Sequence, residues 1–400
     1  MTKKLILVLN CGSSSVKFSI IDPIQSIIYL DGMVESVQHI TSLMIYDHFM
    51  NKKLLNKFNK IDSYKQLIIL IFNTLSVKYK NYLNYVIGIG HRVVHGGKHL
   101  NKSMIINDYV LSKIKQLSIF APLHNPFHVI AITVSLQKML KLKNSNVAVF
   151  DTAFHHTIPK ESFLYAIPYQ FYKNYSIRRY GAHGINHLYV TQQCSLFLNK
   201  SIDQINIISC HLGSGSSVTA IVNGKSVDTS MGLTPLEGLM MGTRCGDIDP
   251  YIIFYMIQEL KISVIDVQKI LTKESGVLGI SSVTSDFREL EKRYSTYKRA
   301  KLSINMFCRR VTKYISGYSS LMCGRLDAIV FTGGIGENSS FIRQKIIKKL
   351  SLLNFFVDVK KNIKNNKKIF FINTSASSSI LVIKANENQV IAKETYDLLK

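Results

Sequence analysis

The chain has 400 residues, of which 46% are hydrophobic and 19% are charged. This much apolar material is enough for a large buried core and excludes an intrinsically disordered chain. The formal net charge is +25. Such a charge is compatible with a polyanionic partner, but a codon bias toward lysine explains it as well. We therefore expect no nucleic-acid partner.

The sequence shows no apolar run with the length of a membrane span or an export signal. Runs such as 67–72 and 251–257 are far shorter than the ~18 residues of a spanning helix. The N-terminal run 5–9 is too short for a signal peptide. The six cysteines form no CxxC pair, which is typical of a reducing compartment. We expect a cytoplasmic protein without a membrane partner.

The first elements of the chain form a strand, a turn and a second strand. An apolar strand is predicted over 5–9, a turn of small residues over 10–15, and a half-buried strand over 16–20. The same order returns over 205–222, and aligning Gly12 with Gly213 superposes the turns and the strands that follow them. This repetition indicates an internal duplication of about 200 residues.

The rest of the chain alternates helical patterns with short strands. The pattern predicts, in chain order, a helix over 127–142, a strand over 146–150, a strand over 328–331, a glycine loop at 333–336, and a helix whose apolar face carries Ile342, Ile346 and Leu350. This alternation indicates an α/β protein. The domain boundary is predicted just after Asp151.

Two features of the sequence are suited to binding a phosphate chain: the Gly/Ser turns and two arginines elsewhere in the chain. The Gly/Ser turns expose consecutive backbone N–H groups, and two equivalent turns are stronger evidence than one. No GxxxxGK[ST] or GxGxxG motif is present, which excludes a P-loop and disfavours a Rossmann site. Arg92 and Arg244 are each surrounded by glycine and apolar residues, where a guanidinium suits a carboxylate or phosphoryl group. A structural carboxylate as the partner is an equally good interpretation of either arginine.

Histidines and acids complete the candidate chemistry. His91, His95 and His99 have a helical spacing, but glycines interrupt the series and no HExxH motif is present, so zinc is not expected. His183, between two glycine turns, is a better candidate for a site. Asp151, at the end of a strand, is the natural magnesium ligand, since Mg²⁺ bound with phosphates needs only one or two carboxylates.

Seven segments of the sequence together resemble the acetate kinase family. They are 10–17, 91–97, 121–126, 150–155, 178–184, 228–250 and 331–338. They occur in family order from residue 5 to about 395, and 228–250 is highly specific. The resemblance implies two duplicated α/β domains of the actin/Hsp70 (ASKHA) type with the active site in the interdomain cleft. Residues 1–151, completed by 386–400, would form the N-terminal domain, and 152–385 the nucleotide-binding C-terminal domain.

The resemblance also implies an activity and residue roles. The activity is reversible, Mg²⁺-dependent transfer of a phosphoryl group from ATP to acetate, giving acetyl phosphate and ADP in a homodimer, with Mn²⁺ as an alternative metal. Implied catalytic residues are Asp151, His183 and Arg244; substrate contacts are Arg92, Val94, Leu123 and Pro235; metal ligands are Asn10 and Glu387. Implied nucleotide contacts are Ser13, Ser15, Lys17, His211, Leu212, Gly213, Ser214, Gly215, Asp286, Phe287, Arg288, Gly334, Ile335, Gly336, Glu337 and Asn338.

Several positions depart from the family pattern. Ser214 replaces the usual Asn of the second phosphate turn, Ala182 stands where many members have Phe, and Ile185-Asn186 replaces the usual Thr-Ser. None of these changes removes a charged catalytic group. The alternatives are a propionate or other short-chain acyl kinase of the same fold, and a nucleotide-binding, chaperone-like protein without the chemistry. The complete set of charged site residues argues against the second.

Overall fold

The structure, a computed structural model, describes residues 3–12, 15–122, 124–363 and 367–400. The chain divides into two compact units. Unit 1 comprises Met1–Phe154 and Asn386–Lys400, and unit 2 comprises His155–Ala385. No helix in the described ranges is long and apolar enough to cross a membrane.

Each unit is built on one sheet with helices packed against it. The strands are β1 Leu5–Cys11, β2 Ser15–Asp22, β3 Ile27–Val37, β4 Ile40–Asp47, β5 Lys52–Asn59, β6 Val86–Val93, β7 Met104–Ile105, β8 Asn146–Phe150, β9 Ile207–Leu212, β10 Ser216–Val222, β11 Lys225–Thr229, β12 Ala328–Thr332, β13 Ile369–Phe371 and β14 Ser379–Ile383. The α-helices are α1 Tyr64–Lys78, α2 Lys80–Leu83, α3 Asp108–Gln116, α4 Asn125–Lys138, α5 Lys160–Phe163, α6 Gln170–Tyr175, α7 Gly184–Phe197, α8 Tyr251–Gln258, α9 Val264–Lys269, α10 Gly276–Ser281, α11 Phe287–Lys292, α12 Lys298–Ser319, α13 Gly333–Asn338, α14 Ser340–Ile347 and α15 Glu387–Leu399.

The two sheets repeat one topology. The order is β5-β4-β3-β2-β1-β6-β8-β7 in unit 1 and β11-β10-β9-β12-β14-β13 in unit 2. Both contain the same six-strand pattern, which is β3-β2-β1-β6-β8-β7 in unit 1 and β11-β10-β9-β12-β14-β13 in unit 2: three antiparallel strands, two strands parallel to the third, and an antiparallel edge strand. Unit 1 adds the antiparallel strands β4 and β5 at its other edge. The α/β class and the duplication predicted from the sequence are confirmed.

The two hairpins that carry the Gly/Ser turns, β1–β2 and β9–β10, differ by one residue in their pairing register. Cys11 pairs with Val16 in the first hairpin, whereas Leu212 pairs with Ser216 in the second. The strand bounds agree with the predicted superposition, since β2 begins three residues after Gly12 and β10 three residues after Gly213. Only the pairing register of the two hairpins differs, by one residue.

Two glycines in β6 allow α15 to lie directly on the sheet of unit 1. A Cβ atom on Gly88 would collide with Leu399, and one on Gly90 would collide with Thr395 and Ile391. Close approach of a helix backbone to a strand is the usual reason for glycine inside a strand. The contact holds α15, whose first residue is Glu387, against β6.

Three predicted elements have different bounds in the structure. The strand at 146–150 is confirmed as predicted, but helix α4 ends at Lys138 and a 3₁₀ segment, Leu140–Ser145, continues toward β8. The glycine loop at 333–336 is instead the short helix α13. Helix α14 ends at Ile347, so Leu350 lies beyond it, although its side chain is buried as expected.

Candidate functional site

A partly buried arginine connects the ends of three neighbouring strands in unit 1. Arg92, next to the end of β6, donates from Nε and Nη2 to Asp151 Oδ2 at 3.1 and 2.7 Å, and from Nη1 to Asn10 Oδ1 at 3.0 Å. Asp151 directly follows β8 and is fully buried. The parallel strands β1, β6 and β8 place their carboxyl ends at one edge of the sheet. The sequence motifs therefore meet at this edge.

Glu387, the first residue of α15, completes this cluster. Its Oε2 accepts a hydrogen bond from Asn10 Nδ2 at 3.2 Å and lies 3.6 Å from Arg92 Nη1. Burial disfavours the charged guanidinium, but the charges of Asp151 and Glu387 outweigh this effect and raise the pKa of Arg92. The cluster supplies two carboxylates and one amide oxygen, the hard donors that Mg²⁺ prefers. Its chemistry fits a magnesium site.

The remaining predicted residues of the first turn lie beside Asn10 or outside the described part of the chain. Lys17 on β2 is exposed and faces Asn10 directly across the hairpin, and directly opposed residues share one face of a sheet. Ser15 is half-buried, and its carbonyl accepts a hydrogen bond from Gly12 N at 2.8 Å. Ser13 lies outside the described residues.

The three residues predicted for a methyl pocket fall in different places. Val94 follows β6 and is buried, and its N–H donates to His128 Nδ1 at 3.4 Å. Pro235 belongs to unit 2, where its carbonyl accepts a hydrogen bond from Arg244 Nη1 at 3.0 Å. Leu123 lies outside the described residues.

The second turn, in unit 2, is bordered by two stacked imidazole rings. His211 lies on β9 and its ring stacks on that of His183, with 4.1 Å between centroids and 19° between planes. Gly213 N donates to the Gly215 carbonyl at 3.1 Å. The exposed Ser214 accepts from Gly242 N at 3.0 Å through its carbonyl. The turn is thus tied to the segment that carries Arg244.

His183 has an unusual backbone conformation. Its φ is 58°, in the left-handed region that a side chain other than glycine adopts only at a cost of about 1–3 kcal/mol. Its Nδ1 is 3.0 Å from Ser217 Oγ, which in turn is 2.8 Å from Nε2 of the buried His187. The strained backbone and the serine together fix the ring at the turn.

Arg244 also reaches the second turn, but it is held differently from Arg92. Nη1 donates to the Pro235 carbonyl and lies 3.7 Å from Met241 Sδ. Among the described residues, no carboxylate forms an ion pair with it. Burial lowers its pKa because the charged form is poorly solvated. A Cβ atom on Gly215 would lie 3.3 Å from His183 Nε2 and 3.5 Å from Arg244 Nη1, so both side chains border this turn.

Ala182 packs in a small apolar cluster beside Arg244. Its partners in the cluster are Met231 and Met241, and all three side chains are buried. Met241 is the residue whose sulfur lies next to the Arg244 guanidinium. Next to Ala182, at the position where many family members have Phe, the structure therefore has two methionine side chains.

The residues predicted to bind adenosine divide into exposed and buried groups. Asp286 caps α11 and pairs with the exposed Arg288, with Nη2 to Oδ2 at 2.6 Å. The ring of Phe287, in contrast, is buried against Phe307 at 4.7 Å. A contact between Phe287 and a ligand would therefore have to use its backbone.

Helix α13 carries the other predicted nucleotide residues. Gly334 has open space on its Cβ side, and Gly336 is buried. Glu337 Oε1 accepts from Gly333 N and Ala385 N, both at 2.9 Å, so it joins α13 to the end of β14. Asn338 donates back to the Gly334 carbonyl. Ile335 is partly buried against the core of unit 2.

Sequence reasoning missed a buried arginine beneath α13. Arg343 is fully buried and donates from Nη1 to the carbonyls of Gly336 and Glu337 at 2.9 and 3.0 Å. Nε and Nη2 donate to Asn362 at 2.8 and 2.7 Å. Burial lowers the pKa of Arg343 to about 10. This side chain fixes the carbonyl end of α13, and its isolated position in the sequence gave no signal.

No zinc site appears in the part of the chain that the structure describes. There, no three His, Cys, Asp or Glu side chains are grouped to hold a metal ion. His91 lies on β6 and bonds Asn146 Oδ1 at 2.8 Å, so a strand replaces the helix that a zinc motif would need. The six cysteines are all free.

The buried histidines predict a marked acid sensitivity. Burial lowers the pKa of His91 and His155 to about 4 and that of His128 to about 3. The folded protein keeps these rings neutral, whereas the unfolded chain protonates them as the pH falls through about 6.5. Stability should be full above that pH and decrease below it, by up to ~1.4 kcal/mol per pH unit for each ring.

Urea unfolding at several pH values between 7.5 and 4.5 tests this prediction. We expect the free energy of unfolding to fall as the pH drops below about 6.5. In His128→Gln, the slope of this free energy against pH should correspond to about one proton fewer taken up on unfolding. A free energy of unfolding that stays constant between pH 6.5 and 5 would contradict it.

Comparison with known proteins identifies relatives over the whole chain. The model of the acetokinase family matches residues 5–393. An acetate kinase from Buchnera aphidicola subsp. Cinara cedri is 66% identical over 100% of this chain and 99% of the relative. One from Escherichia coli K12 is 49% identical over 98% of each chain.

Solved structures agree with these relatives. A propionate kinase from Francisella tularensis superposes with a TM-score of 0.92 at 43% identity, over 98% of this chain and 99% of that one. An acetate kinase from Porphyromonas gingivalis gives a TM-score of 0.89 at 34% identity, over 99% and 100%.

Proposed function

The chain belongs to the acetokinase family, and from that premise we propose that it transfers a phosphoryl group reversibly from ATP to acetate, giving acetyl phosphate and ADP. The resemblance read from the sequence is confirmed by these relatives, and the ASKHA-type fold by the structures of family members. The full-length match at 66% and 49% identity to acetate kinases is the support for acetate as acceptor.

The observation that carries the proposal is the position of Arg244. It is a largely buried cation without a carboxylate partner among the described residues, and it borders the same turn as His183. A buried positive charge is costly unless an anion joins it. A transferring phosphoryl group supplies that anion, and a guanidinium binds its oxygens in pairs. We assign Arg244 and His183 to this group.

Unit 1 would hold the metal and three of the four residues that we assign to acetate, while the fourth, Pro235, belongs to unit 2. We assign Arg92 and Val94, with Leu123 and Pro235, to acetate, and Asp151 to catalysis at the metal. Asn10 and Glu387 would hold Mg²⁺, which neutralises phosphate charge when it is bound. The carboxylate and amide oxygens gathered around Arg92 support these assignments.

The chemistry needs no general base. Acetate is ionised near neutral pH, so its oxygen attacks the γ-phosphorus in line and ADP leaves. The new O–P bond forms as the bond to the β-phosphate oxygen breaks. Catalysis then consists of positioning and charge stabilisation by Arg92, Arg244 and His183.

The nucleotide would be bound by the two turns, the α11 start and α13. Ser13, Ser15 and Lys17 come from the sequence segment 10–17, and His211 to Gly215 from the end of β9 and the turn that follows it. The exposed Asp286–Arg288 pair and the open side of Gly334 support an adenosine site there.

We propose an N-terminal domain of 1–151 with 386–400 and a nucleotide-binding domain of 152–385. The compact units differ from these bounds by three residues, at Phe154.

A hydroxamate assay tests the activity directly. Acyl phosphate formation is measured with ATP, Mg²⁺ and acetate, propionate or butyrate, and a reaction without the protein is the blank. We expect acetate to be the best substrate, propionate second and butyrate poor, since one methylene in an apolar pocket changes the rate by only about 10–200-fold. The 43%-identical propionate kinase structure makes propionate the second candidate. A higher kcat/KM for propionate than for acetate would favour that candidate.

Substitution of Ala182 by phenylalanine is expected to harm both acids. The larger ring would have to displace Met231 and Met241, and Met241 contacts Arg244. Overpacking of a filled site costs typically ~1–3 kcal/mol. We expect kcat/KM for acetate and propionate to fall in parallel in Ala182→Phe. A selective loss of propionate turnover would show instead that Ala182 sets substrate size.

We also propose a cytoplasmic homodimer. Helix α8 supports the dimer: its sequence YIIFYMIQ is almost wholly apolar, yet none of its residues is buried. Tyr251, Phe254 and Tyr255 are each more than half exposed. Large exposed apolar patches of this kind are typical of protein interfaces. The free, scattered cysteines support a reducing compartment.

The substitution Phe254→Asp should dissociate the dimer, because it places a charge in the apolar face of α8. Light scattering after size exclusion gives the mass of wild type and variant. Leu352→Asp, at a side chain that is 99% exposed, is the matched control and should leave the mass unchanged. A Phe254→Asp protein that remains dimeric would remove α8 from the proposed interface.

A further inference from the structure

Asn186 lies beside a cluster of histidine rings in unit 2, formed by His155, His183, His187 and His211. It has no role in the assignments above. It is the third residue of α7, three positions after His183, and it is fully buried. Its Nδ2 lies 2.8 Å from His211 Nδ1 and 3.3 Å from Thr332 Oγ1. Asn186 therefore joins the start of α7 to the carboxyl ends of β9 and β12.

The orientation of this amide determines where His211 carries its proton. An amide N–H that donates to Nδ1 requires a lone pair there, so the proton of the neutral ring resides on Nε2. Nε2 is 3.9 Å from the Cβ position of Gly213 and so lies at the second turn. With this orientation the ring offers an N–H donor to the turn.

The groups around His211 make this tautomer useful. His183 stacks on His211 at 4.1 Å, and His187 is 6.3 Å from it, while Arg244 borders the same turn. Two stacked imidazolium ions beside a guanidinium would repel each other strongly. A neutral His211 that still donates from Nε2 avoids this repulsion.

We propose that Asn186 is a positioning residue that keeps His211 neutral, with its proton on Nε2 and directed at the second turn. This inference rests on the proposed function only in that the turn's ligand is the phosphate chain of a nucleotide. Asn186 Oδ1 accepts no hydrogen bond from any described residue. The side-chain hydrogen bonds of Asn186 to described residues are therefore both made through its donor.

The first test reads the protonation of His211 without any turnover. In protein labelled with ¹⁵N-histidine, the ring signals of His211 are assigned by their loss in His211→Gln. We expect the wild-type ring to be neutral and protonated on Nε2 at pH 7.5. In Asn186→Asp, a carboxylate would accept from Nδ1–H, so the titration midpoint of His211 should rise by at least one pH unit.

The second test separates binding from turnover. Asn186→Leu should raise KM for ATP by about tenfold, the effect of one lost hydrogen bond to a ligand, with a smaller change in kcat. Asn186→Ser keeps a short donor and should recover part of this loss. Asn206→Ala is the matched control: it removes another buried amide of unit 2, bonded to the carbonyls of Met322 and Arg325, and should lower only the melting temperature.

The outcomes are distinguishable. Unchanged His211 signals in both Asn186→Asp and Asn186→Leu, with only a lower melting temperature, would overturn the inference, as would a wild-type ring protonated on Nδ1. If Asn186→Leu does not fold, Asn186→Asp decides the question alone. Failure of the proposed function would appear as absent acyl phosphate formation in the wild type, and the tautomer measurement would still stand.

Discussion

Replacing Asp151 by asparagine is expected to lower kcat by about 10²–10³-fold, the effect of losing one preorganised charged group at a reacting centre. Asp151 is fully buried and receives two hydrogen bonds from Arg92. Asparagine keeps the shape but removes the charge that holds the guanidinium and that we assign to the metal. The variant should therefore lose turnover even where its fold is retained.

The same substitution should also reduce stability. Removing one partner of a buried ion pair costs about 3–5 kcal/mol, because the other charge remains buried. Here Glu387, 3.6 Å from Arg92, retains part of the compensation, so we expect the lower end of that range. Urea unfolding measures the change, and the double variant Arg92→Gln/Asp151→Asn should be more stable than Asp151→Asn alone.

A matched control separates the two effects. Asp327 in unit 2 is another buried carboxylate: it pairs with Lys200 and accepts from Asn206 N at 2.7 Å. Asp327→Asn should lower stability while kcat stays near the wild-type value. If Asp151→Asn retained normal turnover at a temperature where it is folded, Asp151 would have only a structural role.

The sequence predicted the elements and residues that depend on local pattern. The strand at 146–150 and the hairpins are readable because apolar runs end at turns of small residues. Asn10, Arg92 and Asp151 each follow or end such a run, so their convergence at one sheet edge could be expected once the strands were parallel. The one-residue difference in pairing register between the two hairpins could not be predicted, since register leaves no mark in composition.

Contacts between distant segments were beyond the sequence. Asn186 and His211 are separated by a helix and a strand, and Arg343 reaches α13 from the following helix. Neither pair has a spacing that predicts contact. The glycines at 333–336 also suggested a loop, whereas the structure has a helix whose first residue, Gly333, takes a φ of 77°. A Cβ atom there would lie 2.8 Å from the Leu212 carbonyl.

The structure also separates two arginines that the sequence could not tell apart. Both stand in glycine-rich, apolar surroundings, where a structural carboxylate and a bound anion are equally good partners. Arg92 already pairs with the carboxylates of Asp151 and Glu387. An acetate that binds Arg92 must therefore share the guanidinium with these two side chains. Among the described residues, Arg244 contacts only the Pro235 carbonyl and the Met241 sulfur through its guanidinium. It is the better candidate for binding a charge that appears during the reaction.

Changing Arg244 to lysine is therefore expected to lower kcat by about 10²-fold or more, with a smaller effect on KM for ATP. Lysine keeps the positive charge but has a single nitrogen, which cannot hold the Pro235 carbonyl and a pair of phosphoryl oxygens together. The loss should appear in kcat because the interaction strengthens as charge develops on the transferring group.

Arg310→Lys provides the control for this exchange. Arg310 also lies in unit 2, where it donates to the Asp247 carbonyl at 3.3 Å and lies 4.0 Å from the Asp247 carboxylate. There an ammonium can replace the guanidinium with little loss, so turnover should remain near normal. Steady-state kinetics with ATP and acetate compares the two variants. Equal turnover in Arg244→Lys and Arg310→Lys would mean that charge alone suffices at position 244, and the two-oxygen contact would have to be abandoned.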